Sequence, residues 1–222
     1  MANYPSDSDL MREVKNAGAS LTKAALWSTK TPLDMANSFL LEMYLLFRLC
    51  DDLQANYTVE YVKGIHPNEH TFPQAASNKA GWPKFIVKDA SSGKLLFQIC
   101  AGTRAGDIHG AQHAIDVSIQ TAAAGDTPGP DDVLQIFDAK YRSNSSHRIS
   151  KHEFSEFVRW VELFKLRGAG TTGLMLNSLT SLDGNCLVTN GEPSTEPDAE
   201  CHRTSVREVT KFHPNETLRH RP

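Results

Sequence analysis

Basic charge is scarce in this chain: 23 Lys and Arg stand against 26 Asp and Glu, a formal net charge of −3. That balance excludes a general polycation and leaves any contact with nucleic acid to a local surface. Cysteine is equally sparse. Cys50, Cys100, Cys186 and Cys201 include no CxxC pair, and no secretory leader is apparent. They read as reduced thiols of a cytoplasmic protein. Cys186, Cys201 and His202 match no zinc spacing. Long apolar runs are missing too: the longest, Phe39 to Leu49, is interrupted by Glu42 and Arg48, so no membrane span is expected. There is no internal repeat, no nucleotide-binding glycine fingerprint, and no helix-turn-helix or zinc-finger reader.

What is present is an ordinary soluble composition, 40% hydrophobic and 22% charged over 222 residues, enough for one domain with a real core. The strongest helix signal is Asn37 to Leu53. Phe39, Met43, Leu46, Leu49, Cys50 and Leu53 form one broad apolar arc at about 100° per residue, and Glu42 lies inside that arc. A carboxylate on a buried face is costly unless something pairs with it. Before this helix, Asp9 to Trp27 has a looser apolar face and reads as a helical extension. Tyr57–Val62, Lys84–Lys88 and Leu95–Cys100 read as short strands, with Ser91-Ser92-Gly93 as a turn. Pro67, Pro73 and Pro83 mark 66–83 as irregular. Residues 101–110 are glycine-rich and read as a loop, with Arg104 as its candidate phosphate contact. His109 and His113 have the spacing of a helical zinc pair, but there is no helix for them to share.

The informative stretch is His113 to Arg142. HAIDVSIQ and VLQIFDAKYR alternate like half-buried strands, and the residues between them carry Gly125, Pro128, Gly129 and Pro130. Side chains two apart on a strand share a face, so Asp138 and Lys140 project together and Asp116 projects away from Ile115 and Val117. If the strands pair, two carboxylates and an ammonium converge. An Asp-x-Lys triplet is expected about once by chance in a chain this long, and Glu13-Val14-Lys15 is a similar triplet in a helical segment. Strand context is what distinguishes Asp138-Ala139-Lys140. Such an oxygen-rich pair suits Mg²⁺ or Mn²⁺, and a lysine beside it fits phosphodiester hydrolysis. A structural ion-pair group is the alternative reading of the same three residues.

Ile115-Asp116, a gap, then Asp138-Ala139-Lys140 closing a strand resembles the PD-(D/E)XK, or restriction-endonuclease-like, nuclease superfamily. Ile115 stands where the family's name has proline. Further along, LVTNG at 187–191 followed by a polar helix start resembles the Mrr-type branch. The resemblance implies an α/β fold with a mixed central sheet of about five or six strands flanked by helices. It divides the chain into an N-terminal helical extension (1–36), a nuclease-like domain (37–210) and a flexible tail (211–222). It also implies a Mg²⁺-dependent DNA endonuclease of restriction or defence type, with Mn²⁺ able to substitute. RNA is the alternative substrate, and a catalytically silent module binding nucleic acid or a protein partner is the alternative function. Asp116, Asp138 and the Ala139 carbonyl would hold the metal, Lys140 would orient or activate water, and Glu42 would support the metal or its hydration shell. Two such sites for double-strand cleavage imply a homodimer.

After Lys140, Ser150 and Glu153 form a capping box ahead of Phe154, Phe157, Val158, Val161 and Phe164, with Gly168 and Gly170 as the stop. Seven Lys and Arg lie between Lys140 and Gly170 against three Glu. Arg142, Arg148 and Lys151 are the phosphate candidates there.

Overall fold

The computed structural model describes residues 7–23, 37–65, 72–75, 77, 79–144, 146–168, 173–196, 198–214 and 216–221, and two helices come first among them. Helix α1 spans Asp7–Thr22 and α2 spans Asn37–Leu53. Trp27, Pro67 and Gly170, which figured in the sequence reading, lie outside the described residues. α2 is apolar around most of its circumference, so it can be buried on more than one side. Phe39, Leu40, Leu41, Met43 and Leu45 to Phe47 all lie in one core, shared with Leu10 and Val14 of α1 and with the sheet.

Eight strands follow among the described residues: β1 (Tyr57–Val62), β2 (Lys84–Asp89), β3 (Leu95–Gly106), β4 (Gln112–Thr121), β5 (Val133–Lys140), β6 (Asn185–Thr189), β7 (Val206–Thr210) and β8 (Arg219–Arg221). They form one sheet in strict chain order. Neighbours are antiparallel except β5–β6 and β6–β7, which are parallel. Parallel neighbours need a crossover. Here α3 (Lys151–Leu163) joins β5 to β6, and α4 (Asp198–Thr204) joins β6 to β7. The architecture is therefore α/β around a mixed sheet. No helix among the described residues is long and apolar enough to cross a membrane.

Side-chain alternation sends Val117, Phe137, Cys186, Val188 and Val209 into the core under α1 and α2. Ile136, Leu187 and Val206 go into a second core under α3, with Phe154, Phe157, Val158 and Val161. Each such side chain contributes roughly 2 kcal/mol when fully buried. Two strands break the alternation. Ala101 and Val117 belong to the first core, but Ala105 and Ile115, of the same parity, belong to the second. On β3 the switch has a visible cause: Gly102 is left-handed at φ +57, and a Cβ there would meet Pro73 Cγ at 2.7 Å. On β4 the switch falls at Asp116.

Several sequence expectations are corrected. Among the described residues the sheet has eight strands where about five or six were expected, because β7 and β8 are short. Residues 101–106 continue β3 instead of forming a loop. α3 stops at Leu163, before Gly168; Lys165 takes the left-handed position (φ 52), and Leu166 N–H returns to the Val161 carbonyl at 2.9 Å. The stretch expected as a tail places Phe212 in the first core and β8 on the sheet edge. A buried ion pair anchors it: Arg221 Nη1 lies 3.0 Å from Glu208 Oε2, whose side chain is fully buried.

Candidate active site

β4 and β5 pair as neighbours only as far as Val117 with Phe137. Beyond that point β4 stays with β3 as far as Gln112, while β5 stays with β6 as far as Lys140. The sheet forks. Asp116 and Asp138 are the first residues past the last β4–β5 pair, one on each prong. A side chain replaces the missing backbone bond: Ala139 N–H donates to Asp116 Oδ2 at 2.8 Å. Within a strand the N–H and C=O of one residue point to the same side, so the Ala139 carbonyl also faces the β4 prong.

Lys140 closes the cluster, its Nζ 2.9 Å from Asp138 Oδ2. The Asp138 side chain is 6% exposed and that of Lys140 27%, so the lysine is the more open member. Asp116 and Glu42 are half-buried. Glu42 reaches the group from α2, between the buried Leu41 and Met43. The structure thus brings Glu42, Asp116, Asp138, Ala139 and Lys140 to one place.

The electrostatics follow from that crowding. Burial, then the Asp138 and Glu42 carboxylates, push the Asp116 carboxyl well above the usual range, and the Ala139 N–H offsets only part of this. Burial and Asp138 raise Glu42 to about 7, with Lys140 opposing. Burial alone would lower the Lys140 ammonium; Asp138 first, then Asp116 and Glu153, outweigh it and hold the pKa above its ordinary value. The site therefore sets a charged lysine beside Asp116 and Glu42 carboxyls whose protonated forms are favoured by burial and by their acidic neighbours.

Among the described residues, no group of three or more His, Cys, Asp or Glu is arranged as a ready metal cage. Mg²⁺ does not need one, since it binds through one or two carboxylates and keeps several waters. An acid whose pKa is pushed up by burial and by a neighbouring carboxylate belongs to a donor set that a divalent cation would relieve. The residues present therefore fit such an ion.

The basic candidates are more dispersed. Arg142 Nη2 is held by Glu153 Oε2 at 2.5 Å, and Lys151 lies 3.3 Å from Glu196. Among the described residues the Arg148 side chain reaches only the Pro193 carbonyl, at 3.4 Å. Arg104 is exposed on β3 opposite Ala114, and its guanidinium forms no ion pair among the described residues. His113 Nε2 lies 2.8 Å from Asp107 Oδ2.

Sequence reasoning missed the residues that hold Lys140 and its successor loop. Thr189 Oγ1 donates to the Lys140 carbonyl at 2.6 Å. Asn190 accepts from Arg142 N–H at 2.6 Å and donates to the Arg142 carbonyl at 2.8 Å. Both lie in the LVTNG stretch, which carried the signal as a fold mark only. Glu153 was read as a cap alone, and it also holds Arg142. Comparison with protein-family models, with curated proteins and with solved structures finds no match.

Proposed function

We propose that this chain is a divalent-metal-dependent nuclease of restriction-endonuclease-like fold, cutting DNA in a restriction or defence role, as a homodimer where both strands are cut. The observation that supports it is the fork: Asp116 and Asp138 on diverging strands, with Lys140 two residues on and bonded to Asp138 at 2.9 Å. Asp116, Asp138 and the Ala139 carbonyl would hold Mg²⁺ or Mn²⁺, with Glu42 toward its waters. Such an ion, when bound, polarises a phosphoryl oxygen and lowers the pKa of bound water.

The residues of the chain divide the remaining work. With its pKa raised, Lys140 stays charged at neutral pH; it stabilises the negative charge growing on the phosphate and orients the attacking water, and it is not the base. Glu42, with a pKa of about 7, is the group placed to exchange a proton near neutrality.

The test is cleavage of labelled DNA in Mg²⁺ and in Mn²⁺. Wild type should cut, while D138A and K140A should lose at least about a hundredfold in rate and still unfold cooperatively. Wild-type rates in both variants would end the reading. A second reading has its own support: Lys140 already neutralises Asp138, as in a silent module that binds nucleic acid or a protein partner through this fold. That reading expects binding without metal-dependent nicking.

A further inference from the structure

Beside the acids, the loop after β5 and the start of α3 enclose a shallow depression of about 510 Å³, lined by Arg142, His147, Arg148, Ser150 and Glu153. It adjoins the candidate site, since Arg142 is two residues from Lys140 and the Glu153 carboxylate acts on the Lys140 ammonium. Its walls are fixed. Asn190 grips the Arg142 backbone at both N–H and carbonyl. Glu192 N–H donates to the His147 carbonyl at 3.0 Å, and Ile149 N–H to the Glu192 carbonyl at 3.1 Å. Gly191 lets the two loops close: a Cβ there would sit 2.4 Å from the His147 carbonyl oxygen and 2.8 Å from Arg142 Cγ.

The charges around it are almost all matched. Glu153 holds Arg142, Lys211 holds Glu192 at 2.6 Å, and Lys151 faces Glu196 at 3.3 Å. Arg148 is left over: among the described residues its only partner is a neutral carbonyl at 3.4 Å. Arg142 adds a second guanidinium charge to the wall, with its Nε buried and its Nη2 held by Glu153. An arginine fork beside a second arginine, on a rigid loop and without a carboxylate for Arg148, has the geometry and charge for a phosphate group.

We propose that this depression seats a backbone phosphate of the DNA strand next to the scissile one, with Arg148 as the principal contact, the Arg142 charge beside it fixed in place by Glu153, and His147 at the rim. The ligand identity rests on the nuclease reading; the seat itself does not require cleavage.

The experiment uses the full chain in EDTA, with fluorescently labelled single-stranded and duplex DNA, and follows anisotropy across a salt series. Each phosphate contact contributes about 0.9 to the slope of log K against log salt on duplex and about 0.7 on single strands. R148A should therefore weaken binding about tenfold at low salt and flatten the slope by about one contact. R159A, which removes the same charge from the exposed face of α3, should leave the slope unchanged. Equal effects of R148A and R159A, an unchanged slope in R148A, or no binding of either DNA by wild type would each overturn the seat. Binding that depends on Arg148 without any metal-dependent cutting would remove the nuclease and keep the seat. Cutting with an R148A slope equal to wild type would do the reverse.

Discussion

Replacing Glu42 by Gln removes a carboxylate that the fold holds against its preference. Burial and the facing Asp138 raise its pKa from 4.5 to about 7. A raised pKa means that the folded state binds the proton more tightly than the unfolded chain. The associated stability is fully present below pH 4.5 and is lost as pH rises through about 7. A shift of this size corresponds to about 3 kcal/mol. Gln keeps the shape and the neutral state at every pH. In EDTA, E42Q and wild type should therefore have similar stability near pH 4.5, diverge through pH 7, and differ by about 3 kcal/mol at pH 8, with the variant the more stable. For a chain of this size that is a rise in Tm of about 6–12 °C. Asp116 shifts in the same direction, partly because of Glu42, so the variant's own decline with pH should be shallower too. Urea unfolding at half-unit pH steps measures both curves. Parallel curves with a constant offset, or a variant less stable at pH 8, would show that Glu42 does not feel Asp138 as described.

Other perturbations separate the site from its supports. Asp52, at the end of α2, accepts from Asn177 N–H at 2.7 Å, Ser178 N–H at 2.8 Å and Leu179 N–H at 3.2 Å; D52A should cost about 3 kcal/mol in urea unfolding, without changing cleavage chemistry. R221M leaves the fully buried Glu208 unpaired and should cost about 3–5 kcal/mol, whereas R221M/E208Q should recover much of it by thermal unfolding. G102A adds a Cβ against Pro73 at a left-handed φ and should lower stability by about 1–3 kcal/mol, with a larger loss of cleavage than its stability alone explains because Asp116 faces it across β3–β4. Mn²⁺ added at pH 7 should displace the proton shared out near neutrality by Glu42, whose pKa is raised to about 7, so the calorimetric enthalpy should change with the buffer's ionisation heat; an enthalpy independent of buffer would contradict that raised pKa.

The local elements could be read from the sequence because their signals are local. The Ser150/Glu153 box marks the start of α3, and Asp89 with Ser91, Ser92 and Gly93 makes the β2–β3 turn, where Asp89 Oδ1 accepts from both serine N–H groups at 3.1 and 2.7 Å. The alternation around Asp116 and Asp138 placed them on strands. It gave no sign that β4 and β5 separate at those residues, because a fork depends on where each strand finds its other partner. Gly102 was visible as a residue but not as left-handed. The basic surplus after Lys140 was real in composition, yet ion pairs with Glu153 and Glu196 absorb two of its candidates, and those partners are set by tertiary structure. β7 and β8 escaped because a five-residue and a three-residue strand carry too little periodicity.

Strict chain order in the sheet has a temporal corollary for synthesis on the ribosome. Both aspartates exist once β5 has emerged, but Lys140 is fixed by the hydroxyl of Thr189 and by pairing with β6. A nascent chain stopped short of residue 189 therefore carries every acidic group of the cluster and lacks the lattice that aims its ammonium. Aiming of the Lys140 ammonium therefore waits until nearly the whole chain has been translated.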